Sequence, residues 1–160
     1  MGVVTHEFEV ISPLPPTKVF KAFVLDFDNL FPKVVPHAVK SIELLEGDGG
    51  PGSIKKITFA EDSQVKYVKQ KIEAMDKQNL SHTYSVIEGD ALMNVLEKIT
   101  YETKFEAAPG GGTLCKRICK YYTIGDIEIK EEEIKAGSER QAAVYKAVED
   151  YLLANPHLYN

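Results

Sequence analysis

The chain has 160 residues, of which 44% are hydrophobic and 27% are charged, and its formal net charge is −5. This length and composition indicate one globular domain, residues 1–160, and exclude an intrinsically disordered chain. The acidic charge argues against a nucleic-acid-binding protein, because such proteins usually carry a basic patch that displaces phosphate counterions.

The sequence carries no recognisable targeting or membrane signal. Residues 1–10 have neither a cationic start nor an apolar run of signal-peptide length. No stretch approaches the roughly 20 apolar residues that a membrane-spanning helix needs. We therefore expect a cytoplasmic protein without a membrane span.

The first predicted elements are a strand and two short helices. Residues 3–11 alternate between apolar and polar side chains, which is typical of a strand. A proline-rich segment, residues 12–16, ends this strand, and proline is well tolerated in a first helical turn. Apolar residues at helical spacing predict a helix over residues 19–24. Residues 29–35 predict a second short helix, interrupted by Pro32.

The middle of the chain changes to a period of two, which predicts strands. Turn signals rich in glycine, aspartate and proline separate the strands, and the short connections favour an antiparallel meander. The predicted strands cover residues 39–46, 53–60, 65–75, 79–88, 95–106 and 113–123.

A long amphipathic helix is predicted from Glu128 to Ala154, with acidic residues in its first turns where the helix dipole favours negative charge. An α+β fold follows, in which this helix packs across the antiparallel sheet. The inner stripe of the helix comprises Ile134, Gly137, Gln141, Val144, Val148, Tyr151 and Leu152.

The two cysteines, Cys115 and Cys119, lie four residues apart in the last predicted strand. Their side chains should share one face at a separation of about 13 Å along the strand. This distance is too long for a disulfide, and two thiols alone make a poor zinc site. We expect free thiols, no metal and no cofactor.

A glycine-rich loop contains Gly47, Gly49, Gly50 and Gly52. The spacing from Gly47 to Gly52 matches the start of a phosphate-binding loop, but Ser53 occupies the position of the required lysine. A strand rather than a helix follows, so no helix dipole is available to hold a phosphate. We interpret the loop as a tight turn with positive φ angles.

The whole chain resembles the plant pathogenesis-related class 10 and birch-pollen-allergen family. Residues 46–57 are similar to the glycine-rich loop of that family. The other similar segments are Met1-Gly2-Val3, Leu30-Phe31-Pro32-Lys33, Tyr84-Ser85-Val86-Ile87-Glu88-Gly89, Leu96-Glu97-Lys98-Ile99 and Tyr151-Leu152-Leu153-Ala154-Asn155-Pro156.

The resemblance implies a helix-grip fold, in which a curved seven-stranded antiparallel sheet wraps around the C-terminal helix, with two short helices after the first strand. It also implies a large internal cavity that binds cytokinins, flavonoids, sterol-like molecules or other amphiphilic plant metabolites. Many members of the family are allergens, so antibodies are further expected partners. We expect a monomer or a weakly associating dimer.

The inward faces of the strands and the helix stripe provide the candidate ligand-binding residues. Apolar walls with a few polar groups suit an amphiphilic small molecule. The alternative is a filled core whose polar atoms are satisfied internally. The candidates are Phe23, Phe31, Val39, Ile57, Phe59, Val68, Gln70, His82, Tyr84, Ile99, Tyr101, Arg117, Gly137, Arg140, Gln141 and Val144.

Arg117 and Arg140 stand where relatives tend to carry apolar residues. An unpaired buried guanidinium is costly, so each must pair internally, reach solvent or meet an anionic or polyhydroxylated ligand. The opposite orientation of the last strand, with Leu114, Ile118 and Tyr122 inward, would place Arg117 outside. The sequence leaves these alternatives open.

Three other functions are weighed against ligand carriage. The resemblance implies a weak ribonuclease at Lys55, Glu97, Glu149 and Tyr151, although an acidic domain repels RNA. A condensing enzyme on the same fold would need an inward lysine paired with an acid and a tyrosine, and no such set stands out. A hormone receptor would need a mobile gate loop. The scattered histidines match neither a catalytic triad nor a metal site.

Phe27 either gates the entrance of the cavity or lies on the protein surface.

Overall fold

A computed structural model describes residues 2–160, so Met1 of the family-like N-terminal motif lies outside the described residues. The predicted α+β fold is confirmed, with one antiparallel sheet and a long C-terminal helix. The strands are β1 (Val3–Ser12), β2 (Val39–Glu46), β3 (Ile54–Phe59), β4 (Tyr67–Asp76), β5 (Ser81–Gly89), β6 (Leu96–Ala107) and β7 (Thr113–Thr123). The α-helices are α1 (Pro16–Phe20), α2 (Phe27–Val34) and α3 (Glu131–Ala154), with a π-helical turn over Lys21–Leu25 and a short 3₁₀ helix over Asp90–Leu92.

The sheet has seven strands in the order β1-β7-β6-β5-β4-β3-β2. Strands β2 to β7 follow one another as the predicted meander, because each is joined to the next by a short turn. Strand β1 pairs with β7 over its full length, from Val3 opposite Tyr122 to Ser12 opposite Thr113. The first and last strands of the chain are therefore neighbours, and β1 and β2 form the two edges of the sheet.

Helix α2 differs from its predicted form because it begins at Phe27 and continues through Pro32 without interruption. Proline lacks an N–H, so Pro32 leaves only the carbonyl of Asp28 without its usual helical partner. That carbonyl belongs to the first turn of an eight-residue helix. The local cost is therefore one hydrogen bond, and the packing of buried Leu30 and Phe31 retains the helix.

Helix α3 begins at Glu131, three residues later than predicted. Lys130 has an extended backbone (φ −80°, ψ 137°), and Glu131, Glu132 and Glu133 occupy the first turn. Carboxylates in this turn are stabilised by the unpaired N–H groups and the positive end of the helix dipole. Glu128 therefore lies in the connection from β7 rather than in the helix.

The main core lies where α1, α2 and the C-terminal part of α3 pack on the sheet. Its most buried large side chains include Phe20, Phe31, Ile57 and Leu152. Within α3, Ile134, Val148 and Leu152 are buried, whereas none of residues 135–147 is. The helix is therefore held at its two ends and crosses unfilled space between them.

Candidate functional site: an internal cavity

A cavity of about 1570 Å³ lies between the sheet and the middle of α3. Ligand sites more often measure about 300–1,000 Å³, so the space exceeds what one drug-sized molecule needs. Strands of the sheet, α2 and α3 contribute its wall, which is mostly apolar towards the sheet and carries charged residues along α3. Exposed residues of α3 belong to the wall, so the space opens to solvent beside this helix.

Every candidate ligand-binding residue predicted from the sequence lies on the wall of this cavity. The structure thus brings the set together, while contact with a ligand stays a prediction. The wall includes Phe23, Phe31, Val39, Ile57, Phe59, Val68, Gln70, His82, Tyr84, Ile99, Tyr101, Arg117, Gly137, Arg140, Gln141 and Val144.

The orientation of β7, which the sequence left open, places Arg117 inside. Cys115, Arg117, Cys119 and Tyr121 line the cavity. On the opposite face of β7, lysines form cross-strand ion pairs with β6. Lys116 lies 3.4 Å from Glu106, and Lys120 lies 3.0 Å from Glu102. The cysteines are free, as their spacing predicts, and burial raises the pKa of both thiols.

The guanidinium of Arg117 is held by neutral groups. Its Nη2 donates to the Tyr84 hydroxyl at 2.7 Å and to Oε1 of Gln141 at 3.2 Å, and Nη1 reaches the Tyr145 hydroxyl at 3.4 Å. The guanidinium carbon also lies 4.4 Å from the centre of the Tyr101 ring. This environment combines a permanent cation with tyrosine faces and hydroxyls.

A second cation, Lys55, is neutralised locally. Its Nζ lies 2.7 Å from Oδ1 of Asp28, and the side chain of Lys55 is only 10% exposed. Lys55 is buried and lies on the cavity wall. No inward lysine paired with both an acid and a tyrosine was predicted from the sequence, and the structure shows the lysine–acid part of such a set. The partner was missed because Asp28 lies 27 residues away in the chain.

Arg140 differs from Arg117 in its surroundings. It lies on the cavity wall but is exposed, in the middle of α3. Solvent therefore compensates its charge, which was one of the three alternatives predicted from the sequence. Tyr145 was missed as a candidate, although its spacing of four residues from Gln141 places both on one face of the helix.

An aromatic cluster forms the part of the wall next to α2. The ring of Phe31 lies 5.7 Å from that of Phe23, 4.5 Å from that of Phe27 and 5.8 Å from that of Tyr145, measured between centroids. Phe27, left open as a gate or a surface residue, is half-buried and lines the cavity. It therefore contributes to the apolar wall.

The glycine-rich loop lies outside the cavity wall and is closed by its own side chains. Gly47, Gly49 and Gly52 have φ angles of 89°, 100° and 91°, which favour glycine. The Ser53 hydroxyl accepts from the Gly49 N–H at 2.9 Å, and Asp48 accepts from the Gly50 N–H at 2.9 Å. The N–H groups of Gly49 and Gly50 already have hydrogen-bond acceptors, which agrees with the interpretation of this loop as a tight turn.

The four residues implied for ribonuclease activity occupy different surroundings. Lys55 and Glu149 line the cavity, and each is ion-paired, with Asp28 and Lys146 respectively. Glu97 is exposed on β6, and Tyr151 is half-buried on α3 outside the cavity wall. Among residues 2–160 there is no group of three or more side chains that could hold a metal ion.

The histidine on the cavity wall of β5 is neutral at physiological pH. Burial, followed by the charges of Lys55 and Arg117, lowers the pKa of His82 to about 4. Burial also raises the pKa of Tyr84 and of Tyr101, against the opposing effect of the Arg117 charge. Arg117 is consequently surrounded by uncharged side chains.

The neutral state of His82 predicts a pH dependence of stability. Between pH 6.5 and about 4 the unfolded chain binds a proton at this histidine that the folded chain does not. The free energy of unfolding should therefore rise with pH across this window, by roughly 1–2 kcal/mol between pH 5 and 6.5. Urea titrations of wild type and His82→Gln over this range measure the effect. Parallel curves for the two proteins would show that His82 is not responsible.

Comparison with known proteins agrees with the architecture and the motifs. Residues 1–155 match the model of the pathogenesis-related protein Bet v 1 family. The chain belongs to the Bet v 1 family. Among curated Bet v 1 relatives, the major allergen Pru ar 1 of Prunus armeniaca is 58% identical over 160 residues, and the major allergen Mal d 1 of Malus domestica is 55% identical over 160 residues. Each match covers 100% of both chains.

Solved structures extend the comparison of this Bet v 1 family member. The crystal structure of Ara h 8.0201 has a TM-score of 0.86 at 41% identity, covering 96% of this chain and 99% of that one. Norcoclaurine synthase from Thalictrum flavum, in complex with dopamine and hydroxybenzaldehyde, has a TM-score of 0.68 at 21% identity, covering 96% of this chain and 87% of that one. The similarity to norcoclaurine synthase shows a shared fold alone. Within residues 2–160, no helix has the length and apolar character required to cross a membrane.

Proposed function

We propose that this chain is a non-enzymatic carrier that stores or transports amphiphilic plant small molecules in its internal cavity. The observation that carries the proposal is the cavity of about 1570 Å³, with apolar walls and a few inward polar groups. Cytokinins, flavonoids and sterol-like molecules have the required combination of an apolar body and polar groups. The proposal includes an intracellular location and, because the similar curated relatives are named as allergens, recognition by antibodies.

The apolar wall of the cavity favours ligand binding energetically. Phe23, Phe59 and Val144 line the cavity and are only half-buried, so they keep apolar surface that a ligand can cover. Covering apolar surface contributes roughly 25 cal/mol per Å². A ligand that covers about 200 Å² of this wall would gain about 5 kcal/mol before the entropy cost of binding.

Binding can be tested with N-phenyl-1-naphthylamine, an uncharged fluorophore whose emission increases in apolar surroundings. We expect saturable binding to the folded protein and none in guanidinium chloride. Native mass spectrometry of the purified protein should also detect a bound small molecule. No saturable binding of this probe, together with a ligand-free mass spectrum, would contradict the carrier function.

A matched pair of variants locates the bound probe. Val144 is half-buried on the cavity wall, whereas Val3 is 52% exposed on β1 and lies outside the wall. Replacing a ligand-facing methyl group with a hydroxyl group removes roughly 1 kcal/mol of binding, or about fivefold in affinity. Val144→Thr should show this loss, and Val3→Thr should bind like wild type. Equal affinities of both variants would place the probe elsewhere.

A condensing enzyme is a second candidate because Lys55 lies on the cavity wall and pairs with Asp28. An amine and an aldehyde could meet there, with the lysine as proton donor. Incubation with both substrates, followed by a product scan, tests this function. Product formed faster than in buffer, and lost in Lys55→Met, would favour catalysis; an empty scan would favour the carrier.

A further inference from the structure

We propose that Arg117 binds the anionic head of the ligand, so that this chain selects flat aromatic amphiphiles that carry a carboxylate. The inference rests on the proposed carrier function, because it specifies which ligand class the cavity prefers. It concerns a charge that faces the cavity from the middle of β7.

Arg117 is a cation without a counter-ion. No carboxylate of residues 2–160 lies within 4.0 Å of its guanidinium nitrogens. Its Nε is buried and has no hydrogen-bond acceptor within the same residues. Removing a charge from water is costly unless an opposite charge compensates it. Arg117 is half-buried at a cavity that opens to solvent, so a ligand that displaces water from its guanidinium binds best if it brings a negative charge.

The other charges near the cavity do not supply that negative charge. Asp28 pairs with Lys55 at 2.7 Å, and His82 is neutral. The remaining carboxylates of the wall are those of the exposed Asp62, Asp90, Glu131, Glu133 and Glu139, and that of Glu149, which pairs with Lys146. Exposed charges are screened by salt and water, so they compensate a cation in the interior poorly.

The groups around Arg117 also match a carboxylate. The hydroxyls of Tyr84 and Tyr145 each accept a hydrogen bond from the guanidinium, and a hydroxyl group can donate as well as accept. The contact from Nη1 to Tyr145 is long, at 3.4 Å, and is therefore the one that a ligand oxygen would most easily replace. A guanidinium and two hydroxyl donors together form a site for a planar anion.

The shape of the wall points to an aromatic ligand. The rings of Tyr84 and Tyr101 are stacked with centroids 5.0 Å apart, and the Tyr101 ring lies 4.4 Å from the guanidinium carbon. Phe23 and Tyr145, also stacked, continue the aromatic surface at a centroid distance of 5.6 Å. Flat ring systems pack well against such faces, with the carboxylate directed at Arg117.

The experiment compares 2-naphthoate with 2-naphthamide, which share a ring system and differ in charge. Isothermal titration calorimetry at pH 7 should show that wild type binds naphthoate about tenfold or more tightly than naphthamide. Arg117→Met should remove this preference, because naphthoate loses a charge-assisted pair whereas naphthamide loses only hydrogen bonds to a neutral oxygen. Arg117→Lys should retain part of the preference, because it keeps the charge but loses the planar donor pair.

Tyr84→Phe provides an independent variant that keeps Arg117. It should weaken naphthoate binding several-fold and naphthamide binding less, because a carboxylate accepts a stronger hydrogen bond from the lost hydroxyl than an amide carbonyl does. Thermal melts followed by circular dichroism confirm that each variant is folded. Equal affinities of the two ligands for wild type, or a preference that survives in Arg117→Met, would overturn the inference.

Failure of this inference is distinguishable from failure of the carrier function. If wild type binds N-phenyl-1-naphthylamine but does not prefer naphthoate, the cavity is a ligand site and Arg117 is not its anion anchor. If neither that probe nor either naphthalene derivative binds, both the carrier function and the inference are wrong.

Discussion

Replacing Leu152 with alanine should lower the free energy of unfolding by about 3–4 kcal/mol, the range for a large buried aliphatic side chain. Leu152 is 0% exposed and belongs to the main core cluster, at the C-terminal end of α3. It lies outside the cavity wall, so the deletion leaves a void that no ligand fills. Urea denaturation measures the loss.

The neighbouring residue provides the control for this prediction. Leu153 is 45% exposed, and the same substitution there should change the free energy of unfolding by no more than about 0.5 kcal/mol. Binding of N-phenyl-1-naphthylamine to folded Leu152→Ala should remain close to wild type. A cost below about 1 kcal/mol for Leu152→Ala would contradict the view that this end of α3 anchors the helix.

Replacing Gly137 with tryptophan should weaken binding of N-phenyl-1-naphthylamine about tenfold or more. Gly137 lies on the cavity wall, and a Cβ atom built there meets only Nη2 of Arg140, at 3.9 Å. A large side chain can therefore enter the cavity without displacing the backbone, and it occupies space that the probe needs. The helix itself gains, because glycine is disfavoured in a helix interior by about 1 kcal/mol relative to alanine.

Gly137→Ala separates the two effects of this substitution. It should raise the free energy of unfolding by about 0.5–1 kcal/mol and change probe affinity by less than about twofold. The chain has no tryptophan of its own, so the indole fluorescence of the Gly137→Trp variant would also report the cavity surroundings directly. Unchanged probe affinity in Gly137→Trp would show that the probe does not occupy this part of the cavity.

The candidate ligand-binding residues, all of which lie on the cavity wall, were predicted from local sequence patterns. The alternation of Val68 with Lys69, or of Tyr101 with Glu102, predicts which side chains of a strand share a face. The outward-facing positions of such strands are mostly charged, so only one orientation buries apolar surface. Gly137, Gln141 and Val144 were recognised in the same way from the helical period of α3.

For strand β7, the alternation of side chains does not determine which face points inward. Both of its faces carry apolar side chains, with Ile118 and Tyr122 on one side and Cys119 and Tyr121 on the other. Alternation alone therefore allows two orientations, and only pairing with β1 and β6 selects between them. In the pairing with β6, Cys119 lies opposite Tyr101 and Arg117 lies opposite Thr103, so the arginine shares the face of Tyr101.

The order of the elements, the faces of most strands and the free state of the two thiols are encoded locally, because each depends on residues within a few positions of one another. Three other features arise only when the sheet and the helix pack: Asp28 neutralises Lys55, Tyr145 meets Arg117, and space remains beneath α3. They join residues far apart in the chain, and their distances depend on packing that no local period encodes.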